Sequence, residues 1–565
     1  MKLLCCLGTL CLVSATAQTP VILISIDTLR ADHVGAYGYK AISTPNLDAF
    51  AAGGTVFENI ACQTPLTLPS HTSLFTSTYP FENGIQENAE QVSLGGAATL
   101  ASVLKSHGYK TAAFISSVFL EQEMGLDQGF DTYDSPFHFA AFSPVSGEMF
   151  LGGMRNAARD RRDGALTVRA AARWLDANKG QPIFALIHLF DLHTPYSIQE
   201  RPGISRYDAQ LELEDEILGR LKTALIRSGL WDKALTILLS DHGEGLGDHG
   251  ERSHGYFIYQ STLHVPLILH WPANVSAQPA KHPKPAGLID VAPTVLDFLH
   301  LPVPASFEGT NLLQTEPRTV YSETMHTHDS FGWSPLRCVR VGDYKYIEAP
   351  KAELYDLAND PKEEKNIVLS NPERARALRA ELGNVLAKHT RKPVPTPTSA
   401  NPEADKLLAS LGYLARGPQA HSSRNGADPK DRLTEFRLYE TAVENMADRH
   451  LDKAVVILKQ ILAQDSTNTL ARRDLASCYL DLHDYAKARA NFQQVTAVAP
   501  RDYPSQFGLG LAAKNLGLVP EARSHLEAAC KLAPQAVQCK TELGDLLGDG
   551  GVGRNVHNRV VRQQP

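Results

Sequence analysis

The chain has 565 residues and a mass of 61.7 kDa, with 43% hydrophobic and 21% charged residues and a formal net charge of −7. That is enough apolar material for one large domain and at least one more. The mild acidity is spread out, with no basic block to track a phosphate backbone, which argues against nucleic-acid binding.

Met1–Ala17 carries Lys2, the eleven-residue apolar stretch LLCCLGTLCLV and the small-residue pattern Ala15-Thr16-Ala17. This reads as a cleavable secretory signal, too short to span a bilayer. No later segment reaches spanning length, so the expectation is a secreted or periplasmic protein with no stable membrane span. Three of the eight cysteines fall in the signal, leaving Cys62, Cys338, Cys478, Cys530 and Cys539. An odd, scattered set is not a disulfide framework. Cys530 and Cys539 could pair in an oxidising compartment, but both read more readily as small buried side chains in helices.

From residue 20 to about 300, strand-like runs alternate with helical patterns. VILISI, TAAFIS, PIFALIHLF, LTILLS and VPLILHW are the strands; ATLASVLKSHG and YDAQLELEDEILGRLKTALIRSG are among the helices. The alternation predicts βαβ units and a large, mainly parallel sheet flanked by helices. In such sheets ligands gather beyond the carboxyl ends of the strands. VILISI delivers Asp27 there, and TPLTLPSHTSLFTSTY (Thr64–Tyr79) presents the hydroxyl of Thr67. HLFDLH delivers Asp191 and His193, LTILLS delivers Asp241 and His242, and SHGYFIY adds His254. An imidazole beside carboxylates favours zinc or manganese over calcium or magnesium. Asp191, His193 and His254 would make a second zinc-type site, two ions clamping the attacking and leaving oxygens. His188 and His249 read as supporting residues, while Arg30, His33 and His71 flank the pocket segments as supporting or solvated polar groups.

Residues 318–390, with LRCVRVGDYKYIEA and ELYDL, read as a small antiparallel sheet closed by a helix. Together, residues 18–390 form the expected catalytic domain. Residues 391–430 turn to Pro, Ser, Asn, Gly and charge and read as a linker, interrupted by the short helical piece ADKLLASLGYL. Over 431–547, Ala454, Ala488 and Ala522 recur every 34 residues, as do Leu458, Phe492 and Leu526. The tail 548–565 lacks periodicity and reads as disordered. It leaves the last repeat without an obvious polar capping helix.

The segments IDTLRADHVGAYGY, STPNLDAFAAGGTVFENI, TPLTLPSHTSL, HLFDLHTPY, SDHGEGLGDHG and VPLILHWP resemble, in order, the sulfatase family of the alkaline phosphatase superfamily. The resemblance runs from about residue 20 to about 390, and the 34-residue period resembles tetratricopeptide repeats. The family likeness implies a hydrolase acting on ester bonds. Two departures matter: Thr28 stands where typical sulfatases place a second aspartate, and His242 stands where many carry Asn. Sulfatases also oxidise a cysteine or serine in C/S-x-P-x-R to formylglycine, whereas the aligned segment here is Thr67-Leu68-Pro69-Ser70-His71. Oxidising Thr would give a ketone, so no formylglycine is expected. Cys62, in CQTPL, does not restore the motif.

Threonine at this position resembles instead the phosphodiesterase and lipoteichoic-acid-synthase branches, where a metal-bound alkoxide attacks phosphorus directly, which implies Thr67 as a metal ligand beside Asp27, Asp241 and His242. Asn88, 21 residues after Thr67, has a spacing similar to the ester-oxygen-binding Asn of the phosphodiesterase branch; a surface turn is its alternative. Related sulfatases use one ion and let residues like His193 and His254 bind the ester or protonate the leaving group. The leading expectation is an exported hydrolase with one or two divalent ions, cleaving phosphate or sulfate esters of a small-molecule, glycan or lipid substrate through Thr67, phosphoesters favoured. A phosphoglycerol-type transferase and a non-catalytic scaffold that binds protein or peptide partners through its repeats are the alternatives.

Overall fold

The computed structural model describes residues 18–88, 94–137, 161–199, 201–276, 278–314, 318–389, 426–533 and 537–548. The signal, the helical piece at 404–414 and nearly all of the tail lie outside them.

The apolar runs form an eight-stranded sheet in the order Lys281–His282, Gly54–Phe57, Leu267–His270, Leu235–Leu239, Val21–Ile26, Ile183–Leu189, Lys110–Phe114, Thr132–Asp134. Only Leu267–His270 runs against its neighbours. Val21–Ile26 lies at the centre, with Ile24 opposite both Ile187 and Leu238. All six of its residues are buried, the mark of a strand covered on both faces. The pleat splits them: Val21 and Leu23 pack into one core, Ile22, Ile24 and Ile26 into the other. The aligned carboxyl ends of Val21–Ile26, Ile183–Leu189 and Leu235–Leu239 form the ledge from which the site is built.

Beyond this sheet, Thr319–Thr324, Leu336–Val341, Tyr344–Glu348 and Glu353–Asp356 form the small antiparallel sheet. Helix Pro372–Lys388 covers it with Leu378 and Leu382, and Tyr79 and Phe81 of the larger unit enter the same core.

Among the described residues, seven helices follow, from Leu433–Ala447 to Val537–Leu546. The alanines at 454, 488 and 522 are fully buried, as small residues must be where paired helices touch. Two expectations need correction here. Cys530 and Cys539 form a disulfide, and among the described residues an extra helix, Val537–Leu546, follows the last repeat pair. The disulfide and the Lys514–Glu542 ion pair fasten that helix, a tertiary constraint that its own weak periodicity does not announce.

The linker also ends earlier than composition suggests, because residues 426–430 are folded against the catalytic unit. Ser334 N donates to Ala427 O, Lys351 N to Asp428 Oδ2 and Tyr256 Oη to Pro429 O. The first repeat helix continues this contact. Phe436 stacks on Tyr256 at 3.9 Å between ring centroids, Arg437 Nε donates to Gly250 O, and Ser253 Oγ donates to Glu440 Oε1.

Candidate active site

Thr67 opens helix Thr67–Thr76, ten residues that are all buried. Pro69 is tolerated because it falls in the first turn, where no intrahelical N–H is needed. The Thr67 hydroxyl lies 3.2 Å from Asp27 Oδ2 and 3.3 Å from His242 Nε2. His242 Nδ1 is 3.0 Å from Gly243 O, an acceptor, so Nδ1 carries the proton and Nε2 presents its lone pair to the site. Ser70, one helical turn from Thr67, donates to Asp241 O at 2.7 Å and fixes that loop.

Asp27, Asp241 and His242 place ligand-type atoms within 4.8 Å of one another. Asp27 Oδ1 and Asp241 Oδ2 are buried without a hydrogen-bond partner, an arrangement that suits a cation. Burial pushes both carboxyls above their usual range and pulls His242 down to about 3. A pocket that penalises its own carboxylates and keeps its imidazole neutral matches the donor set a divalent ion requires.

Thr28 stands in the left-handed region at φ 56°, an uncommon conformation for a β-branched residue, with its buried hydroxyl unbonded. Tyr207 Oη donates to its carbonyl at 2.8 Å, holding the turn.

His254 lies beside His242, ring centroids 4.3 Å apart, and His193 lies beyond it at 5.2 Å. His193 is stacked on Phe190, and its Nδ1 is 2.6 Å from Thr194 O. His254 Nδ1 is 3.1 Å from Glu244 Oε1. Burial raises Glu244 to about 8 and lowers His254 to about 4. The pair therefore holds a proton between carboxyl and imidazole.

Asp191 does not join this row. Its carboxylate accepts from Gly164 N at 2.9 Å, at the start of helix Gly164–Ala177, and burial beside Glu214 and Asp163 lifts it to about 6. The N–H groups of a helix start are a better local partner than a neutral imidazole row. Among the described residues, no cluster of ligand atoms unites Asp191 with His193 and His254, so the expected second metal site is not assembled.

Asn88 is buried; its Oδ1 accepts from Leu68 N at 2.9 Å, and its Nδ2 has no hydrogen-bond partner. A surface turn is therefore ruled out. Arg30 braces the loop after His242, donating to Glu244 O and Gly245 O and pairing with Asp248. His33 is bound to Asp208, and His249 stacks on Tyr259 with Nε2 at Lys362 O, both away from Thr67.

Sequence reasoning missed Glu244 and undervalued His71 and His188, which are fully buried beneath Thr67 and Asp241. Ser25 and His188 are paired neighbours near the ends of two otherwise apolar strands. Two polar residues facing across such a ladder were the available signal.

Residues 19–301 match the sulfatase family profile, and 247–392 match the N-sulphoglucosamine sulphohydrolase C-terminal region. The chain belongs to the sulfatase family. It is an ester-hydrolysing enzyme, and residues 445–513 match the tetratricopeptide repeat. The uncharacterized sulfatase YidJ of Escherichia coli (strain K12) is 25% identical over 61% of this chain and 82% of that protein. The delta 4,5-hexuronate-2-O-sulfatase of Bacteroides thetaiotaomicron is 24% identical over 63% and 86%. The phosphonate monoester hydrolase of Agrobacterium radiobacter has the same fold, with a TM-score of 0.53, 19% identity and coverage of 66% and 96%. Sulfatase-family enzymes use metal ions, in keeping with the Asp27, Asp241 and His242 cluster. Among the described residues, no helix is long and apolar enough to cross a membrane.

Proposed function

We propose that the chain is an exported, metal-dependent hydrolase whose nucleophile is Thr67 and whose preferred substrates are phosphate esters rather than sulfate esters. The observation that carries this reading is the Thr67 hydroxyl, buried at a helix start within 3.3 Å of both Asp27 and His242. Asp27, Asp241 and His242 would hold the cation with Thr67 beside it, zinc or manganese being favoured by the imidazole. Such an ion acidifies a neighbouring hydroxyl and offsets charge at the reacting centre.

The protein's own groups supply the rest. The N-terminus of the Thr67 helix and the Asn88 Nδ2 offer donors to the anionic oxygens of the ester. The Thr67 Oγ–P bond forms as the bond from phosphorus to the departing alcohol breaks, the Thr67 proton passing to Asp27 Oδ2, which already accepts from it. His254 Nε2 gives that alcohol its proton, and Glu244 replaces it through Nδ1. His193, one ring further out, steadies the ester. Water then attacks phosphorus, giving its proton to His254 Nε2 and so back to Glu244, while the Thr67 oxygen leaves with the proton held at Asp27. Threonine favours phosphate because it lacks the second hydroxyl of an aldehyde hydrate, which expels sulfate without attack at sulfur. The repeats offer a groove to a protein or peptide partner.

The test compares a phosphodiester, a phosphomonoester and a sulfate ester with the full chain and with Thr67→Ala, alongside metal analysis. Phosphate ester turnover that disappears in the variant is expected. Full turnover without the hydroxyl, or faster sulfate ester hydrolysis, overturns the reading.

A further inference from the structure

His326 follows strand Thr319–Thr324 of the small antiparallel sheet, outside the elements that carry Asp27, Thr67 and Asp241, yet segments of the site gather around it. Its Nδ1 lies 3.1 Å from Glu87 Oε2, and Glu87 is the chain neighbour of Asn88, whose Oδ1 holds Leu68 N. A Cβ placed on Gly255, directly after His254, would come within 3.0 Å of Leu66 Cδ2 and 3.7 Å of His326 Cδ2. Leu66 in turn directly precedes Thr67. Thr324 Oγ1 completes the junction, donating to Gly255 O at 2.6 Å and accepting from His326 N at 3.2 Å. His326 thus lies among the immediate neighbours of Thr67, Asn88 and His254, and at 4% exposure it is part of the interior wall there, not a surface ring.

The Thr67 mechanism leaves this ring without a task. Glu87 Oε2 is an acceptor, so His326 Nδ1 carries the proton, and Nε2 is the nitrogen left for a ligand. The ring edge nearest Gly255 is the one with Cδ2, the carbon bonded to Nε2. A hydroxyl suits such a nitrogen in either charge state, giving its proton to the neutral ring or accepting one from the imidazolium. We propose that His326, oriented by Glu87, is a substrate-binding residue that takes a hydroxyl on the alcohol portion of the ester, so that the substrates are esters of polyols or sugars and not of simple alkanols. This rests on the reading above, in which His254 protonates the departing alcohol and so places it on this side of the site.

The test gives the full-length protein 2,3-dihydroxypropyl phosphate, propyl phosphate and the two corresponding sulfates. The wild type is expected to favour the dihydroxypropyl member of a pair by about tenfold or more in kcat/KM, because a site built around a hydroxyl penalises the analogue that lacks it. The ratio falls toward one in His326→Phe, which keeps an aromatic ring in place, and falls part-way in Glu87→Gln, which removes the carboxylate that orients the imidazole. Affinities of Thr67→Ala for the same pairs, read by isothermal titration calorimetry, give the ratio where turnover is slow, and the wild-type ratio stands on its own if a variant does not fold. A wild-type ratio near one, or a ratio unchanged in folded His326→Phe, overturns the proposal. Hydrolysis of the sulfates in place of the phosphates overturns the phosphate preference alone, and the sulfate pair then supplies the ratio. Neither turnover nor binding with any of the esters overturns both.

Discussion

Thr67 Oγ1 and His242 Nε2 face each other at 3.3 Å, although 175 positions separate them along the chain. The tautomer of His242 makes the contact directional, because its other nitrogen is committed to Gly243 O. Removing either side should therefore have different signatures. Thr67→Ala lowers turnover of phosphate esters by about a thousandfold or more and leaves metal content intact. Thr67→Ser keeps part of the rate. Rapid quenching during turnover, followed by peptide mass spectrometry, should find a phosphoryl group on the Thr67 peptide of the wild type; its absence in a kinetically competent sample counts against a covalent step.

His242→Ala should strip the protein of its ion. His249→Ala, seven residues on in the same loop, should not, since that ring is stacked on Tyr259 and bonded to Lys362 O. Metal retained after dialysis against graded chelator separates the two variants; equal retention contradicts the assignment.

Gly250 has φ 84°, and a Cβ there would collide with Leu433 and Arg437 of the first repeat helix. Gly250→Ala should strain this left-handed turn and turn the ends of the Leu433 and Arg437 side chains away from the loop carrying His254. Phe436→Ala removes the ring stacked on Tyr256 and should cost about 3 kcal/mol of stability. Both variants are expected to lower kcat without loss of bound metal. Unchanged kcat in both would show that the loop stands without its brace.

Glu440, on that same helix, is pushed by burial from the ordinary 4.5 up to about 7. The folded form thus keeps a proton that the unfolded chain releases. Stability from this group is fully present below pH 4.5 and is lost as pH rises through about 7. Glu440→Gln, which copies the protonated form, should gain melting temperature relative to wild type as pH goes from 5 to 8. A difference between the two proteins that does not change with pH refutes the assignment.

The sheet and the repeats were legible because their periods are strong: all-apolar runs for strands covered on both faces, and buried alanines at a fixed interval. Asp27, Thr67, Asp241 and His242 were legible for a related reason, since each lies within three residues of a strand end or opens a helix. Asp191 was misplaced because periodicity fixes where a residue falls on the chain, not which competing partner its side chain meets after a turn. Here Gly164 N won. His188 hid inside an apolar run, where a lone histidine reads as packing. The Cys530–Cys539 pair and the terminal helix depend on one another, so neither announces itself in a reading of helical pattern alone.

The contact of Phe436 and Arg437 with the loop from Gly250 to Tyr256 means that the repeats and the catalytic pocket share a single packed boundary. Thermodynamic linkage then acts across it. A peptide that grips the array more tightly when the boundary is closed must raise the affinity for an ester that also prefers the closed form, and the ester must raise the peptide's affinity by the same factor. Were a peptide to bind the array in this way, the loop carrying His254 would feel it through the helix that rests on it.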